Sequence, residues 1–510
     1  MTDKKRRGLI LRISPLFLCS FTVFMSKNYF RLDILANLYY NIMEKFFSEQ
    51  KGGQEMTVGS ISEIISKARE EISSSKAFGY LTKLFDDGVF TEIGAFAKSD
   101  DTYAEAVAAH GTVNGMEVYA FAQNTDYAGG AMSKAQAAKI KKLYDLALKS
   151  GEPVVAFYDS TGGRLSQGTD LLAAYGDILK YSNNLSGVVP QISVIVGKCF
   201  GTQALIAECA DIVVMTKNAQ LSLETNGEKS SAEENSQKGN AHIIAENADE
   251  AVQKVRALIE ILPSNNLSSA CVAYDEISAE GVPVYDTKPS QVIFDIADTE
   301  SAVEIQADYG KAVRTVLATV NGVTVGLLSA EGDIDGKSSS KAARFVRFCD
   351  AFSIPVITFI DAEKFCCIKS AAKLTSAYAE ATTAKITFIT GNAFGSVYIA
   401  LAGTGAAADM TFAWTNASVS ALTPEAETII MLGDDFGGRL KNTSDPKAER
   451  ERVIQEYKNE NLTAFKAAEN GYVEDVIEPE NTRDKLISAL DMLGNKRVTT
   501  LPKKHNNIYI

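Results

Sequence analysis

An internal repeat is the strongest constraint on this sequence. Gly111-Thr-Val-Asn-Gly115, followed by Met-Glu-Val-Tyr-Ala, returns as Ala318-Thr-Val-Asn-Gly322, followed by Val-Thr-Val-Gly-Leu. Asn-Gly between two β-rich runs predicts a tight hairpin turn in each copy. A helix comes next. Ile140, Leu143, Tyr144 and Ala147 share one helical face, and Ala342, Phe345, Val346, Cys349 and Phe352 share another. Each helix leads through a proline to a strand, Pro153 to Asp159 and Pro355 to Asp361. A further strand then enters a small-residue turn, Gln191 to Gly201 and Lys385 to Gly395. Matched segments lie 207, 202 and then 194 residues apart, so the second copy has the shorter connections. A chain with this order of elements twice over is expected to fold as two α/β domains of one kind. The boundaries fall at about 56–299 and 300–500, leaving 501–510 as a tail. Within the first domain, the polar stretch Asn226–Asn240 predicts a mobile surface loop, and Asn247 with Glu250 predicts a capping pair for a helix over 249–262.

Composition narrows the chemistry. Lys plus Arg is 51 and Asp plus Glu is 64, a net charge of −13, which argues against a nucleic-acid partner. Seven scattered cysteines without a CxxC pair argue against a disulfide framework or a zinc cluster and point to a reducing cytoplasm. The adjacent Cys366 and Cys367 are expected to be buried apolar packing. Only three histidines are present, and neither His110 nor His242 has a carboxylate or cysteine at a useful spacing. No P-loop and no metal motif occurs. At the start, Lys4 to Arg7 precede an apolar run from Gly8 to Met25. That run resembles a signal peptide but is interrupted by Arg12 and Pro15 and lacks a small-residue cleavage site. Residues 1–55 are therefore expected to be a dispensable extension or a start assigned too far upstream.

What the repeat offers is glycine at strand ends. Asp159-Ser-Thr-Gly-Gly-Arg164 lies in the first copy, and Gly391-Asn-Ala-Phe-Gly-Ser-Val397 runs into a helix-compatible segment in the second. Backbone amides aimed outward from such turns suit an oxyanion, although an ordinary tight turn uses the same residues.

On these and longer blocks the chain resembles the carboxyltransferase (β-type) subunits of biotin-dependent acyl-CoA carboxylases and decarboxylases, the propionyl-CoA carboxylase β and methylmalonyl-CoA decarboxylase α family. The most specific block is Lys341-Ala-Ala-Arg-Phe-Val-Arg-Phe-Cys-Asp-Ala-Phe-Ser-Ile-Pro355. Leu262-Pro-Ser-Asn-Asn266 and Ala467-Ala-Glu-Asn-Gly-Tyr-Val-Glu-Asp-Val-Ile477 support it. The resemblance implies two tandem crotonase-like domains, with acyl-CoA on the first and biotin, carried by a separate carrier protein, on the second. It also implies a homo-oligomer whose site lies between protomers. The implied partners are a biotin carboxyl carrier protein and a biotin carboxylase or membrane decarboxylase complex, the latter allowing peripheral membrane association. The cofactor would supply the base, and the protein two backbone oxyanion holes.

By this resemblance the acyl-CoA hole falls on Gly162 and Gly163 and the biotin-side hole on Ser396 and Val397. Arg164, with Gly201 and Gly395 at the two strand ends, would contribute to substrate binding. No metal is implied. The chain departs from the family pattern at several places around this site. Ala362-Glu-Lys-Phe-Cys-Cys-Ile-Lys369 stands where a glycine-containing loop is usual and is expected to pass directly into a helix. Cys199-Phe-Gly-Thr-Gln203 and Leu422-Thr-Pro-Glu-Ala426 are further departures. A catalytically impaired regulatory paralogue, or another crotonase-type thioester enzyme, are the alternative readings.

Overall fold

The computed structural model describes residues 58–99, 102–224, 229–268, 278–499 and 502–503. The extension 1–55 and nearly all of the tail lie outside the described residues. The chain divides into units at Met1–Arg69 and Glu70–Ile510, and both main sheets belong to the second. Helices α1 (Val58–Ser73) and α2 (Lys76–Leu84) precede the first sheet.

The first sheet begins with β1 (Phe90–Glu92), and β2 (Lys98–Ser99) with β3 (Thr102–Tyr103) form a separate small ribbon. The hairpin β4 (Ala106–Val113) and β5 (Met116–Gln123) follows. Next come α3 (Lys134–Ser150), β6 (Val154–Tyr158), α4 (Asp170–Leu185), β7 (Gln191–Ile195) and β8 (Lys198–Phe200). The half closes with α5 (Thr202–Glu208), β9 (Ile212–Thr216), β10 (Gln220–Ser222), α6 (Ala232–Lys238), β11 (Ile243–Ala245) and α7 (Ala248–Ile261).

The second half repeats this plan after α8 (Pro289–Asp295). It runs β12 (Val303–Ile305), the hairpin β13 (Val313–Val320) and β14 (Val323–Ile334), α9 (Gly336–Ala351), β15 (Val356–Phe365), α10 (Ile368–Glu380) and β16 (Lys385–Phe394). Then come α11 (Ser396–Leu401), β17 (Met410–Trp414), β18 (Ser418–Ser420), α12 (Pro424–Leu432), α13 (Asp434–Lys441), α14 (Pro446–Asn461), α15 (Ala464–Glu469), β19 (Asp475–Ile477) and α16 (Thr482–Leu493).

The strand orders agree. The first sheet reads β1-β4-β5-β6-β7-β9-β11 and the second β12-β13-β14-β15-β16-β17-β19. The strands from β5 and β14 onward pair in parallel, and β6, β7 and β9 are buried along their whole length, as central parallel strands covered on both faces must be. Both Asn-Gly turns have φ positive at each central residue, 49° and 78° at Asn114-Gly115 and 50° and 75° at Asn321-Gly322. That is the conformation that matches the twist of a hairpin. The predicted helix faces are the buried ones in α3 and α9.

Equivalent polar devices hold the two halves in the same shape. Asp86 accepts the amides of Asn114 and Gly115 and is paired with Arg256 of α7. Asp298 accepts the amides of Asn321 and Gly322 and is paired with Arg483 of α16. Each arginine also donates to the carbonyl two residues before its aspartate, at Leu84 and Ile296. The Nζ of buried Lys139 donates to Ala106 O, and that of buried Lys341 to the carbonyls of Gln306, Tyr309 and Val313. Burial lowers both lysines to about 8. One apolar cluster contains residues of both sheets, Val118, Val155 and Val194 with Leu328, Ile360 and Ile389, so the halves share a core.

Four expectations are corrected. Residues 226–228 of the expected 226–240 loop lie outside the described residues, and 232–238 are helix α6, opened by a capping box in which Ser231 accepts from Glu234 N and Glu234 accepts from Ser231 N. Asn235 is buried there with its side-chain amide on the carbonyls of Leu221, Ser230 and Ser231, which is how so polar a segment can be ordered. Asn247 does cap α7, but Glu250 accepts from Glu246 N instead of completing the box. The segment after Asp361 remains strand to Phe365 before α10 begins, and Cys366 is exposed and Cys367 only half-buried, so neither is core packing.

Candidate functional site

The two strand ends that carry the candidate glycines are built alike. In the first half β8 pairs with β10, and Gly201 then donates its amide to Ser222 O at 2.9 Å before α5 begins. In the second the end of β16 pairs with β18, and Gly395 donates to Ser420 O at 2.9 Å before α11 begins. Gly201 has φ 64° and ψ −138°, and Gly395 has φ 48° and ψ −115°. Only glycine takes that conformation without strain, so these positions shape the turn from which each helix starts. The first two amides of each helix, Thr202 and Gln203 in α5 and Ser396 and Val397 in α11, take no acceptor among the described residues. Unpaired amides at a helix start can stabilise a developing oxyanion.

Ser396 is exposed, whereas the side chain of Val397 is fully buried in the shared core. The valine's bulk therefore points into the protein, and the departure from small residues at this turn leaves its amides open.

The loop 159–164 has a different construction. Three consecutive residues with positive φ, Ala128, Gly129 and Gly130, form a turn after β5 that cradles it. Gly129 O accepts the Thr161 amide, Met132 N–H donates to Gly162 O, and Arg164 N–H donates to Met132 O. The Gly162 amide donates to Ser160 Oγ at 3.1 Å, so of the two expected donors only Gly163 keeps an amide without an acceptor among the described residues. Arg164 is mostly buried against the fully buried Glu105, 3.0 Å away, and donates to Ser99 Oγ at 2.6 Å. Glu105 in turn accepts from Ser133 Oγ at the start of α3. Arg164 thus ties this loop to the hairpin and to α3.

Thr202 and Gln203 escaped the reading of the sequence, although the repeat itself points to them. Val397 and Gln203 are separated by the same 194 residues that relate Gly395 to Gly201. The expected holes were drawn from two non-equivalent loops, one per half, whereas α5 is the structural equivalent of α11 and begins with the same pair of open amides.

Neither histidine belongs to these turns. His110 faces Glu117 across the hairpin at 3.0 Å, and His242 Nδ1 accepts the Val213 amide deep in the protein, where burial holds its pKa well below the usual value. No group of three or more metal-ligating side chains occurs among the described residues.

A model of the carboxyl transferase domain matches residues 77–508. The chain belongs to the carboxyl transferase family. This carboxyltransferase is 35% identical over 478 residues to the methylmalonyl-CoA decarboxylase subunit alpha of Veillonella parvula, covering 84% of this chain and 92% of the relative. It is 32% identical over 515 residues to the putative propionyl-CoA carboxylase beta chain of Bacillus subtilis, covering 91% and 99%. Among solved structures it is similar to the 12S transcarboxylase hexamer with methylmalonyl-CoA and methylmalonic acid bound. The TM-score there is 0.82, with 31% identity and coverage of 89% of this chain and 99% of that one. A single-chain long-chain acyl-CoA carboxylase, 19% identical with a TM-score of 0.71, shares the fold. The carboxyltransferase fold is accordingly two tandem crotonase-like α/β units.

Proposed function

We propose that this carboxyltransferase is a subunit of a biotin-dependent acyl-CoA carboxylase or decarboxylase. It moves a carboxyl group between carboxybiotin and the α-carbon of a short acyl-CoA. The observation that carries this is the pair of equivalent strand-to-helix turns, each presenting two open amides, in a chain matched to carboxyl transferases over most of its length.

The first half, about 56–299, takes the acyl-CoA. Its thioester oxygen becomes an enolate oxygen when the α-carbon loses a proton or CO2, and the amides of Gly163, Thr202 and Gln203 are the donors available to hold that charge. The second half, about 300–500, would take biotin, and the amides of Ser396 and Val397 would hold it. The buried Val397 side chain and the exposed Ser396 leave those amides approachable, so the residues present fit the group. Carboxybiotin on a separate carrier supplies the carboxyl group and, after its loss, the base. The chain's own contribution is position and fixed dipoles, where removal of one donor typically costs about 2.7–4 kcal/mol. Arg164 orders the 159–164 loop against Glu105, and Gly201 and Gly395 set the turns.

Exposed apolar side chains rim both regions, Leu165, Leu172 and Leu205 in the first half and Ile399, Ile430 and Met431 in the second. Apolar rims of this kind support a homo-oligomer in which the first half of one protomer faces the second half of another. The partners are a biotin carboxyl carrier protein and a carboxylase or decarboxylase complex, in the cytoplasm or peripheral to a membrane. No helix among the described residues is long and apolar enough to cross a membrane.

The test follows label from bicarbonate into product, using carboxylated carrier and a panel of acyl-CoA esters. Turnover with a short acyl-CoA is expected. The strand that continues to Phe365 in place of a glycine loop favours one second reading, a paralogue impaired on the biotin side. Stable carrier association without transfer to any ester is the outcome that paralogue would give.

A further inference from the structure

Each strand that feeds a candidate turn must first leave the main sheet. In the first half β7 pairs with β9 as far as Ile195, and the chain re-forms as β8 against β10 from Lys198. The Lys198 amide donates to Asp159 Oδ1 at 3.2 Å. The preceding residue is Gly197, and a Cβ there would overlap the Asp159 carboxylate. In the second half β16 pairs with β17 as far as Ile389 and with β18 from Asn392. The Asn392 amide donates to Asp361 Oδ1 at 2.8 Å, and a Cβ on Gly391 would overlap the Asp361 carboxylate.

The same aspartate, glycine and amide therefore stand at the same departure point in both halves. Four and five residues beyond each held amide lie the open pairs, Thr202 with Gln203 and Ser396 with Val397. Only two strand residues and one glycine intervene, so the segment between lock and amides has little slack.

We propose that Asp159 and Asp361 are positioning residues, each fixing through a glycine-framed contact the point where a strand departs from the sheet and thereby the aim of the amides beyond it. The assignment of the two locks to an acyl-CoA side and a biotin side rests on the carboxyltransferase reading above; the locks themselves do not. A displacement of about 1 Å at a positioned group can cost roughly 10²-fold in rate. The first lock is itself held, because the Asp159 amide donates to Gln123 Oε1. Asn at either aspartate position keeps an oxygen acceptor of the same reach, whereas Ala removes it.

The experiment uses the full chain with Asp361→Ala, Asp361→Asn, Gly391→Ala and the double variant Asp361→Ala/Gly391→Ala, alongside Asp159→Ala. Hydrogen exchange is followed over 390–398 and 196–204, and kcat and KM are measured where turnover is present. Asp361→Ala is expected to speed exchange at least tenfold over 390–398 and not over 196–204, with Asp159→Ala doing the reverse. In turnover, Asp361→Ala is expected to lose about 10²-fold in kcat with the acyl-CoA KM unchanged, and Asp361→Asn to recover most of it. Gly391→Ala should mimic Asp361→Ala, and the double variant should fall well short of the two effects added, because the added Cβ then meets only the Cβ left at position 361, 2.9 Å away, and no carboxylate. Unchanged exchange in Asp361→Ala, or additive effects in the double variant, would overturn the proposal. Exchange is read without turnover, so the locks are tested even if the protein transfers no carboxyl group.

Discussion

Gly395 combines a φ of 48° with close approach to its neighbour, since a Cβ there would stand 2.9 Å from the Ala421 carbonyl oxygen. Gly395→Ala is therefore expected to cost about 1–3 kcal/mol of stability and to misaim the Ser396 and Val397 amides. Thermal unfolding beside a transfer assay would show a kcat loss larger than the stability loss accounts for. Buried Lys341 satisfies three carbonyls where its counterpart Lys139 satisfies one. Lys341→Met should therefore destabilise by about 3–5 kcal/mol and Lys139→Met by clearly less, as denaturant midpoints would record. At this scale the sequence was partly legible. Glycine at a strand end is visible, but which amides it leaves open is not. Gly162 resembles a donor until the Ser160 hydroxyl, two residues earlier, is seen to take its amide. The buried lysines carried no signal, because a lysine on a helical pattern reads as solvent-facing.

Among elements, the two hairpins were legible because Asn-Gly specifies the turn directly, but their clamps were not. Asp86 and Arg256 are 170 residues apart, and no local pattern joins them. The Gly115 amide, the Arg256 guanidinium and the Asn114 amide hold Asp86 down at about 2, below the ordinary 3.8. A depressed carboxylate stabilises the fold above its unfolded pKa and loses that contribution as pH falls. The stability difference between the native chain and Asp86→Asn, about 1 kcal/mol at neutral pH, should thus shrink between about pH 4 and pH 2. Asp298→Asn should cost more, about 3 kcal/mol, since that carboxylate is buried with Arg483. Chemical denaturation across this pH range would reveal both trends. Helix α6 shows the opposite failure: its Ser-x-x-Glu start was present in the sequence, but the surrounding polarity suggested a loop. Buried Asn235 and Ser236 hydrogen-bond to groups that only the tertiary fold brings near.

At the scale of the molecule, the repeat predicted the doubled architecture because order and spacing of elements survive even where side chains change. The seam between halves was invisible to that reading. Arg344 of the second half donates to the carbonyls of Ala210 and Asp211 in the first, close to Glu208 at the end of α5. Burial pushes Glu208 up to about 7, against which Arg344 acts only in part. A carboxyl raised in the folded state favours folding below its unfolded pKa and loses that advantage as pH rises through the folded value. Stability should therefore decline from about pH 4.5 to 7 through this group. Glu208→Gln should flatten the decline, with unfolding midpoints at a series of pH values as the measure. A midpoint difference that does not change with pH would contradict it.

The shared core gives the two copies a common fate. Leu328, Ile360 and Ile389 of one sheet pack in the same cluster as Val118, Val155 and Val194 of the other. Close-packed interiors respond to the gain or loss of a single methylene. A volume change accepted on one side of that cluster is thus a demand on the other. Duplication supplied two units, but packing withdrew their freedom to drift apart, so compensating substitutions in this lineage should pair positions across the halves.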